Sequence, residues 1–514
     1  MRRIDLLLVL TGLLTWQSAT AATPPSPPSP AEFERHARTL LANAYPADAP
    51  GAAVLVMRGD EVLYRGAHGL ADVAADLPLK PGDRFPIASV TKQFSAAGLL
   101  TLVDAGKVAL DDPLSKYLPS YPDGARITIE HLLNHTSGIM EYTAIPGTFE
   151  GPIRRHVSTG QLVDYFKNEA PDFAPGEGWI YNNSGYVLVG AVIEAASGQP
   201  WYQYLDQTLF KPLAMHDTGY GADPAVIAAQ VTGYITLDGT PAPPLQLSMT
   251  QPHAAGALVS TVDDLARWNR GLHQGQVLKP DTYARMITPV GQAKANDYGY
   301  GIWTTSVRGV PALQHGGGIA GFSSYLIYVA HAQVTVAMLL NDETPLPAGD
   351  SRTITRRLAA AALGDPYPPV TPVDLDVAML KQYEGVYRVN DQATRTLRVV
   401  DGTLTAYRTW GRRTDLTAIG ADTFVYPDGI DRLQVQRDMS GTITGMRFWA
   451  DGEGEGVIAP LTDQVVPIDF SLPRDAVGRL LGRYWFAAVL VGAAIALLFA
   501  VRLRGRRQRR TANI

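Results

Sequence analysis

Cysteine is absent from the whole 514-residue chain. Disulfides, thiolate metal sites and cysteine nucleophiles are thereby excluded. Histidine is sparse, with ten residues, and none stands in a His-Glu-x-x-His pattern. His131 and His135, four apart in "EHLLNH", read as packing or capping residues of a helix rather than as zinc ligands. No metal and no cofactor is expected. Charged residues make up only 18% against 46% apolar ones, and positive charge gathers at the two ends. Without Arg2, Arg3, Asp5 and the six arginines at 502, 504, 506, 507, 509 and 510, 36 basic and 48 acidic residues remain, a net charge of −12. Such a surface repels nucleic acid. The chain is too long for one hydrophobic core, so two or more domains are expected.

The ends read as targeting segments. "MRRIDLLLVLTGLLTWQSATAA" has a basic start, an apolar middle and the small residues Ala19-Thr20-Ala21. This is the pattern of a signal peptide over 1–21, with an uncleaved anchor as the alternative. A proline-rich spacer follows over 22–34. Near the other end, 18 residues from Tyr484 to Val501 carry no charge. As a helix they would be roughly 27 Å long, enough for a bilayer core. The arginine-rich tail, 502–514, would then stay in the cytoplasm. Together these features predict export and a single-pass protein of the cell membrane, its main domain on the periplasmic or extracellular side.

Periodicity marks the elements in between. Two apolar runs flank Arg58-Gly59-Asp60 as a hairpin. Ser89 to Ala105 reads as a helix ended by Gly106. Helical stretches continue through "TIEHLLNHTSG", "TGQLVDYFKNEA" and "SGYVLVGAVIEAASG"; strands return in "GVPALQHGG", "GFSSYLIYVA" and "AQVTVAMLLN". Strands at the start and end bracket the helices, so one mainly antiparallel sheet is expected to unite them. This domain would span 35–364. Beyond a linker at 365–377, hairpin patterns around Asp401-Gly402 and Ser440-Gly441 predict a small β-barrel-like domain over 378–465.

Three short stretches carry the chemistry. "FPIASVTKQ" holds the chain's only Ser-x-x-Lys, Ser89 and Lys92, which a helix places on one face. A helix N-terminus disfavours an ammonium and favours an oxyanion, so this lysine suits the task of taking a serine proton. The plainer alternative makes Ser89 an N-cap, which leaves Lys92 unexplained. "YNNSGYVLVG" holds the only Tyr-x-Asn, Tyr181 and Asn183, where packing and helix capping are the plainer roles. His315-Gly316-Gly317-Gly318 opens a strand pair in "LQHGGGIAGFSS"; three glycines there indicate that something approaches the backbone closely. His273-Gln274-Gly275 has a similar form but looks like a helix exit. No Gly-x-Ser-x-Gly occurs, which argues against an α/β-hydrolase.

With these motifs the chain resembles the serine β-lactamase and penicillin-binding protein superfamily. The likeness is to its class C-like branch of D,D-peptidases, D-aminopeptidases and family VIII-type esterases. The motifs stand in family order, 92 and then 134 residues apart. "LDDPLSKYLP", "ITIEHLLNHTSGI", "AAGALVSTVDDLARW" and "YGYGIW" also look like family phrases. The resemblance covers about residues 35–360.

The resemblance implies an α+β fold: a β-lactamase-like domain with a mainly antiparallel sheet flanked by helices plus a helical subdomain. Here the small all-β domain and one C-terminal transmembrane helix would follow. It implies Ser89 as nucleophile, Lys92 as proton acceptor and Tyr181 as proton shuttle toward the deacylating water. Asn183, His315 and Gly317 would bind substrate, and the N–H groups of Ser89 and Gly318 would form the oxyanion hole. His315 stands where many relatives carry the lysine of Lys-Thr-Gly, a departure closer to D,D-peptidases and D-aminopeptidases than to efficient β-lactamases. The expected activity is that of a membrane-anchored serine hydrolase, acting through an acyl-enzyme on peptide, amide or ester bonds of D-amino-acid-containing substrates. Its expected partners are a small-molecule or peptide substrate, the membrane and peptidoglycan. An esterase or weak β-lactamase of the same fold is one alternative; a non-catalytic penicillin- or cell-wall-binding module is another.

Overall fold

A computed structural model describes residues 27–464, apart from 238, 345–348, 391–392 and 410–412. The segments read as signal peptide (1–21), membrane span (484–501) and basic tail (502–514) lie outside the described residues. The expected architecture needs one correction. Among the described residues no helix is long and apolar enough to cross a membrane. The longest α-helices among the described residues have 15 residues, about 22 Å, short of the ~30 Å hydrocarbon core. The fold class of the described residues is therefore α+β with no transmembrane helix among them, and the single-pass membrane localisation is withdrawn.

Order begins earlier than the spacer reading implied. Helix α1, Pro30–Ala44, starts with a capping box in which Ser29 and Glu32 satisfy each other's backbone N–H groups. The last "SP" of the proline-rich run is thus a helix start, with Pro30 where its missing N–H costs nothing.

Six strands form the central sheet: β1 Ala52–Arg58, β2 Glu61–His68, β3 Trp303–Val307, β4 Val310–Ile319, β5 Phe322–Val329 and β6 Val334–Leu340. Their order is β3-β4-β5-β6-β1-β2, antiparallel throughout. The first and last strands meet, as expected, with Ala52 opposite Leu340 and Val56 opposite Val336. Both faces are covered. Val54, Val56, Val336 and Met338 pack under α1 and the helix Ser351–Ala362, while Ala53, Leu55, Ala337 and Leu339 face the helical side. Two-sided burial explains why β6 reads "VTVAMLL" without polar alternation.

On the helical side, α2 (Thr91–Asp104) is buried around most of its circumference, as befits a central helix. It packs on α3, Asn183–Ser197. A four-stranded and a five-stranded sheet follow over 385–460 and share a core of Tyr387, Leu397, Phe424, Leu433 and Met446. Glu453 from that region docks on the β3–β4 turn, accepting from Arg308 N at 2.6 Å and Gly309 N at 2.9 Å.

Candidate active site

The chain reaches Ser89 through a constrained turn. Ile87 donates its N–H to the Leu258 carbonyl (2.9 Å) and accepts from Ser324 Oγ (2.8 Å). Ala88 then adopts φ 47°, a left-handed conformation that costs a non-glycine residue about 1–2 kcal/mol. Residues Ala88–Val90 form a 3₁₀ turn that runs into α2, whose N-cap is Val90 without any side-chain cap. The Ser89 hydroxyl is therefore not engaged in capping. Its neighbour β4 comes in closely: a Cβ on Gly317 would lie 2.4 Å from the Ile87 carbonyl and 2.5 Å from Ser324 Oγ. Only glycine fits there, which accounts for one member of the glycine run. Gly318 has open space beside it and faces the cavity.

Lys92, one turn after Ser89, is 0% exposed. Its Nζ lies 3.1 Å from Ser89 Oγ, 2.7 Å from Asn183 Oδ1 and 2.9 Å from the Ala255 carbonyl. Burial lowers its pKa from 10.5 to about 7, with the Glu141 carboxylate pulling the other way. A neutral amine at this place keeps two donors for Asn183 Oδ1 and the Ala255 carbonyl. Its lone pair is then left for the serine proton.

Asn183 is held by a residue that sequence reasoning missed. Its backbone N–H and its Nδ2 both donate to the Glu141 carboxylate, the latter at 3.1 Å. With Nδ2 so engaged, Oδ1 must face Lys92. Asn182, not Asn183, caps α3, its Oδ1 accepting from Gly185 N at 2.6 Å. Tyr181 lies parallel to the Trp303 ring, centroids 5.6 Å apart at 8°, with Lys92 Nζ 4.8 Å from its own centroid. Burial pushes the Tyr181 phenol's pKa up, the Ser89 side chain acting in the opposite direction, so the ring carries its proton at neutral pH.

The histidines play supporting parts. His131 Nδ1 accepts from Thr128 N at 3.2 Å, closing a capping box. His135 is buried against Tyr181, ring centres 4.4 Å apart, and accepts from Asn182 N. His273 stacks on Tyr328. His315 is 1% exposed. Its Nδ1–H donates to the Gly316 carbonyl at 2.6 Å and its Nε2 accepts from the Tyr298 hydroxyl at 3.3 Å. Burial and the nearby Lys92 lower its pKa to about 3. His315 is thus a neutral ring packed against Trp303 and Tyr181, with ring centres 4.6 Å and 6.3 Å away. The cavity itself, about 260 Å³, is lined by Ser89, Asn183, Gly318, Thr143 and Glu343, with Phe149, Ile153, Leu245 and Leu247 supplying apolar walls.

A half-buried serine beside a buried lysine, braced by a Tyr-x-Asn loop and a glycine strand, has known counterparts. The Beta-lactamase family model matches residues 33–361. The chain belongs to the Beta-lactamase family. Penicillin-binding protein 4* of Bacillus subtilis (strain 168) is 29% identical over 383 residues, covering 70% of this chain and 83% of that protein. The D-aminopeptidase of Gluconobacter oxydans (strain 621H) is 26% identical over 339 residues, 65% of this chain and 63% of that one. Among solved structures, a D-stereospecific amidohydrolase from Streptomyces sp. aligns with TM-score 0.54 and 29% identity over 62% of this chain and 97% of that one. This Beta-lactamase family member is accordingly a serine hydrolase of the β-lactamase and penicillin-binding protein fold, related to D-aminopeptidases and D-amino-acid amidases.

Proposed function

We propose that this protein is a class C-like serine hydrolase that cuts peptide, amide or ester bonds of D-amino-acid substrates through an acyl-enzyme on Ser89. The observation that carries the reading is the Lys92 amine, fully buried and 3.1 Å from Ser89 Oγ. Lys92 takes the hydroxyl proton as Oγ attacks the carbonyl carbon, and the N–H groups of Ser89 and Gly318 receive the oxyanion. The Tyr181 phenol gives its proton to the leaving nitrogen or oxygen and is reprotonated from Lys92. In deacylation water attacks the ester, one proton passing through Tyr181 to Lys92 and then back to Ser89 Oγ. Asn183 holds the acyl part with the amide that Glu141 fixes, and Gly317 lets the substrate strand and β4 lie close to the Ser89 turn. D,D-peptides of peptidoglycan belong to the same substrate class.

The relatives' names support the D-amino-acid part of this reading. A second reading, a short-chain esterase, is favoured by Phe149, Ile153, Leu245 and Leu247, which ask nothing polar of an acyl chain. Labelling by a fluorescent fluorophosphonate tests the nucleophile. The wild type should label and Ser89→Ala should not, while circular dichroism shows the same fold. Undiminished labelling of Ser89→Ala refutes the assignment. Comparing kcat/KM on D-alanine p-nitroanilide and on p-nitrophenyl butyrate decides between the two substrate readings.

A further inference from the structure

We propose that His135 is a positioning residue for breakdown of the acyl-enzyme: its ring and its carbonyl clamp both chain neighbours of Tyr181 and so hold the phenol at the Ser89 ester. The inference rests on the proposed acylation of Ser89 and the proposed proton relay through Tyr181. Tyr181 needs support from outside its own segment, because 170–182 contains neither helix nor strand. Ile180 donates its N–H to the His135 carbonyl and Asn182 donates its N–H to His135 Nδ1, both at 3.2 Å. The His135 and Tyr181 rings also touch, their centres 4.4 Å apart. One residue thus grips the loop on either side of the phenol.

The backbone argues that the ring is retained for this contact. His135 follows the short helix Ile129–Leu133 and its C-cap Asn134, and takes φ 65°. That is the left-handed position after a helix, where glycine is the favoured residue. A histidine there carries a backbone penalty that only its side chain can offset. Among the described residues, the bond from Asn182 N–H is the one hydrogen bond the ring makes, and Nε2 has no partner. Because Nδ1 accepts, the ring proton sits on Nε2, among the rings of Tyr298 and Tyr186, whose centres lie 4.6 Å and 5.2 Å away. Burial, with Lys92 and His315 nearby, holds the His135 pKa well below the ordinary 6.5. Nδ1 therefore keeps its lone pair for Asn182 at neutral pH. A p-nitrophenolate leaving group needs no proton, so acylation by such an ester reports on Lys92 and the following deacylation on Tyr181.

Three variants of the full chain separate the contributions of the ring. His135→Gly suits the left-handed backbone but removes the acceptor. His135→Gln fills more of the space and carries its oxygen one bond too far out. His135→Asn puts Oδ1 where Nδ1 stands and tolerates the left-handed backbone. Stopped-flow turnover of a p-nitrophenyl ester gives the burst and the steady rate. His135→Gly and His135→Gln should slow deacylation by about 10-fold or more, the scale of a small misplacement of a reacting group, and change the burst rate far less. His135→Asn should recover most of the loss. In a Tyr181→Phe background the same changes should have no further effect on deacylation, because the group they position is gone. The glutamine variant carries this cycle if His135→Gly does not fold. Equal slowing in both backgrounds, a His135→Asn enzyme as slow as the glycine one, or wild-type deacylation in both loss variants overturns the positioning role and leaves Ser89 and Tyr181 in place. Deacylation of Tyr181→Phe at the wild-type rate overturns the relay itself, and the role of His135 with it.

Discussion

Replacing Glu141 by Gln should move the pH dependence of acylation toward acid. Lys92 must be neutral to accept the serine proton, so the acylation rate rises as pH climbs through its folded pKa of about 7. The Glu141 carboxylate favours the ammonium and raises that value. Removing its charge lets burial act unopposed, and the pKa falls. The two charges are linked by the Asn183 amide, through hydrogen bonds of 2.7 Å and 3.1 Å, which puts them no more than about 8 Å apart. At an effective dielectric constant of about 20 that separation is worth about 2 kcal/mol, or about 1.5 pH units. Gln keeps one oxygen for the Asn183 N–H but turns an NH2 toward the Asn183 Nδ2 and Thr143 N–H donors, so the midpoint of the profile, not the absolute rate, is the readout. Stopped-flow acylation by a p-nitrophenyl ester from pH 5 to 9 reads the shift. A midpoint in Glu141→Gln that is unchanged, or higher than in the wild type, refutes the base assignment together with this electrostatic account.

Lys92→Met should show that the buried amine is a stability cost. The folded pKa, about 7, lies below the ordinary 10.5, so burying the ammonium costs about 5 kcal/mol below pH 7 and nothing above about pH 10.5. Losing the hydrogen bonds to Asn183 Oδ1 and the Ala255 carbonyl offsets part of the gain at every pH. Urea melts should therefore show the variant gaining most over the wild type near pH 6 and losing that advantage toward pH 10; a difference independent of pH contradicts the burial argument. Gly317→Ala places a methyl 2.4 Å from the Ile87 carbonyl and should cost about 1–3 kcal/mol of stability. It should also lower kcat/KM by about 10²-fold through displacement of the Ser89 turn; a Gly317→Ala enzyme with wild-type kinetics removes the close-approach explanation.

The candidate site residues stood out in the sequence because they come in short, unusual combinations, and the fold brings Ser89, Lys92, Tyr181 and Asn183 within hydrogen-bond or ring contact. The sheet was legible from the hairpin at Gly59 and the long apolar run of β6, whose two-sided burial leaves no polar alternation. Less legible was anything set by a long-range partner. The Ala255 carbonyl carries no side-chain signature, and Glu141 is a lone acid whose meaning depends on a backbone N–H 42 residues away. The partners of His315, the Tyr298 hydroxyl and the Gly316 carbonyl, were equally hidden, because they depend on how the strand packs in the fold. The Ser29 to Glu32 capping box was present in the sequence but masked by the surrounding prolines.

Intact-protein mass spectrometry during turnover tests the central claim most directly. Wild-type protein mixed with a D-alanine ester and quenched in acid before steady state should gain the mass of one D-alanyl group, and peptide mapping should place it on Ser89. Tyr181→Phe should hold the adduct longer, because the phenol that relays the deacylating water's proton is gone. Turnover without any transient adduct, or an adduct mapped to a residue other than Ser89, would contradict the account.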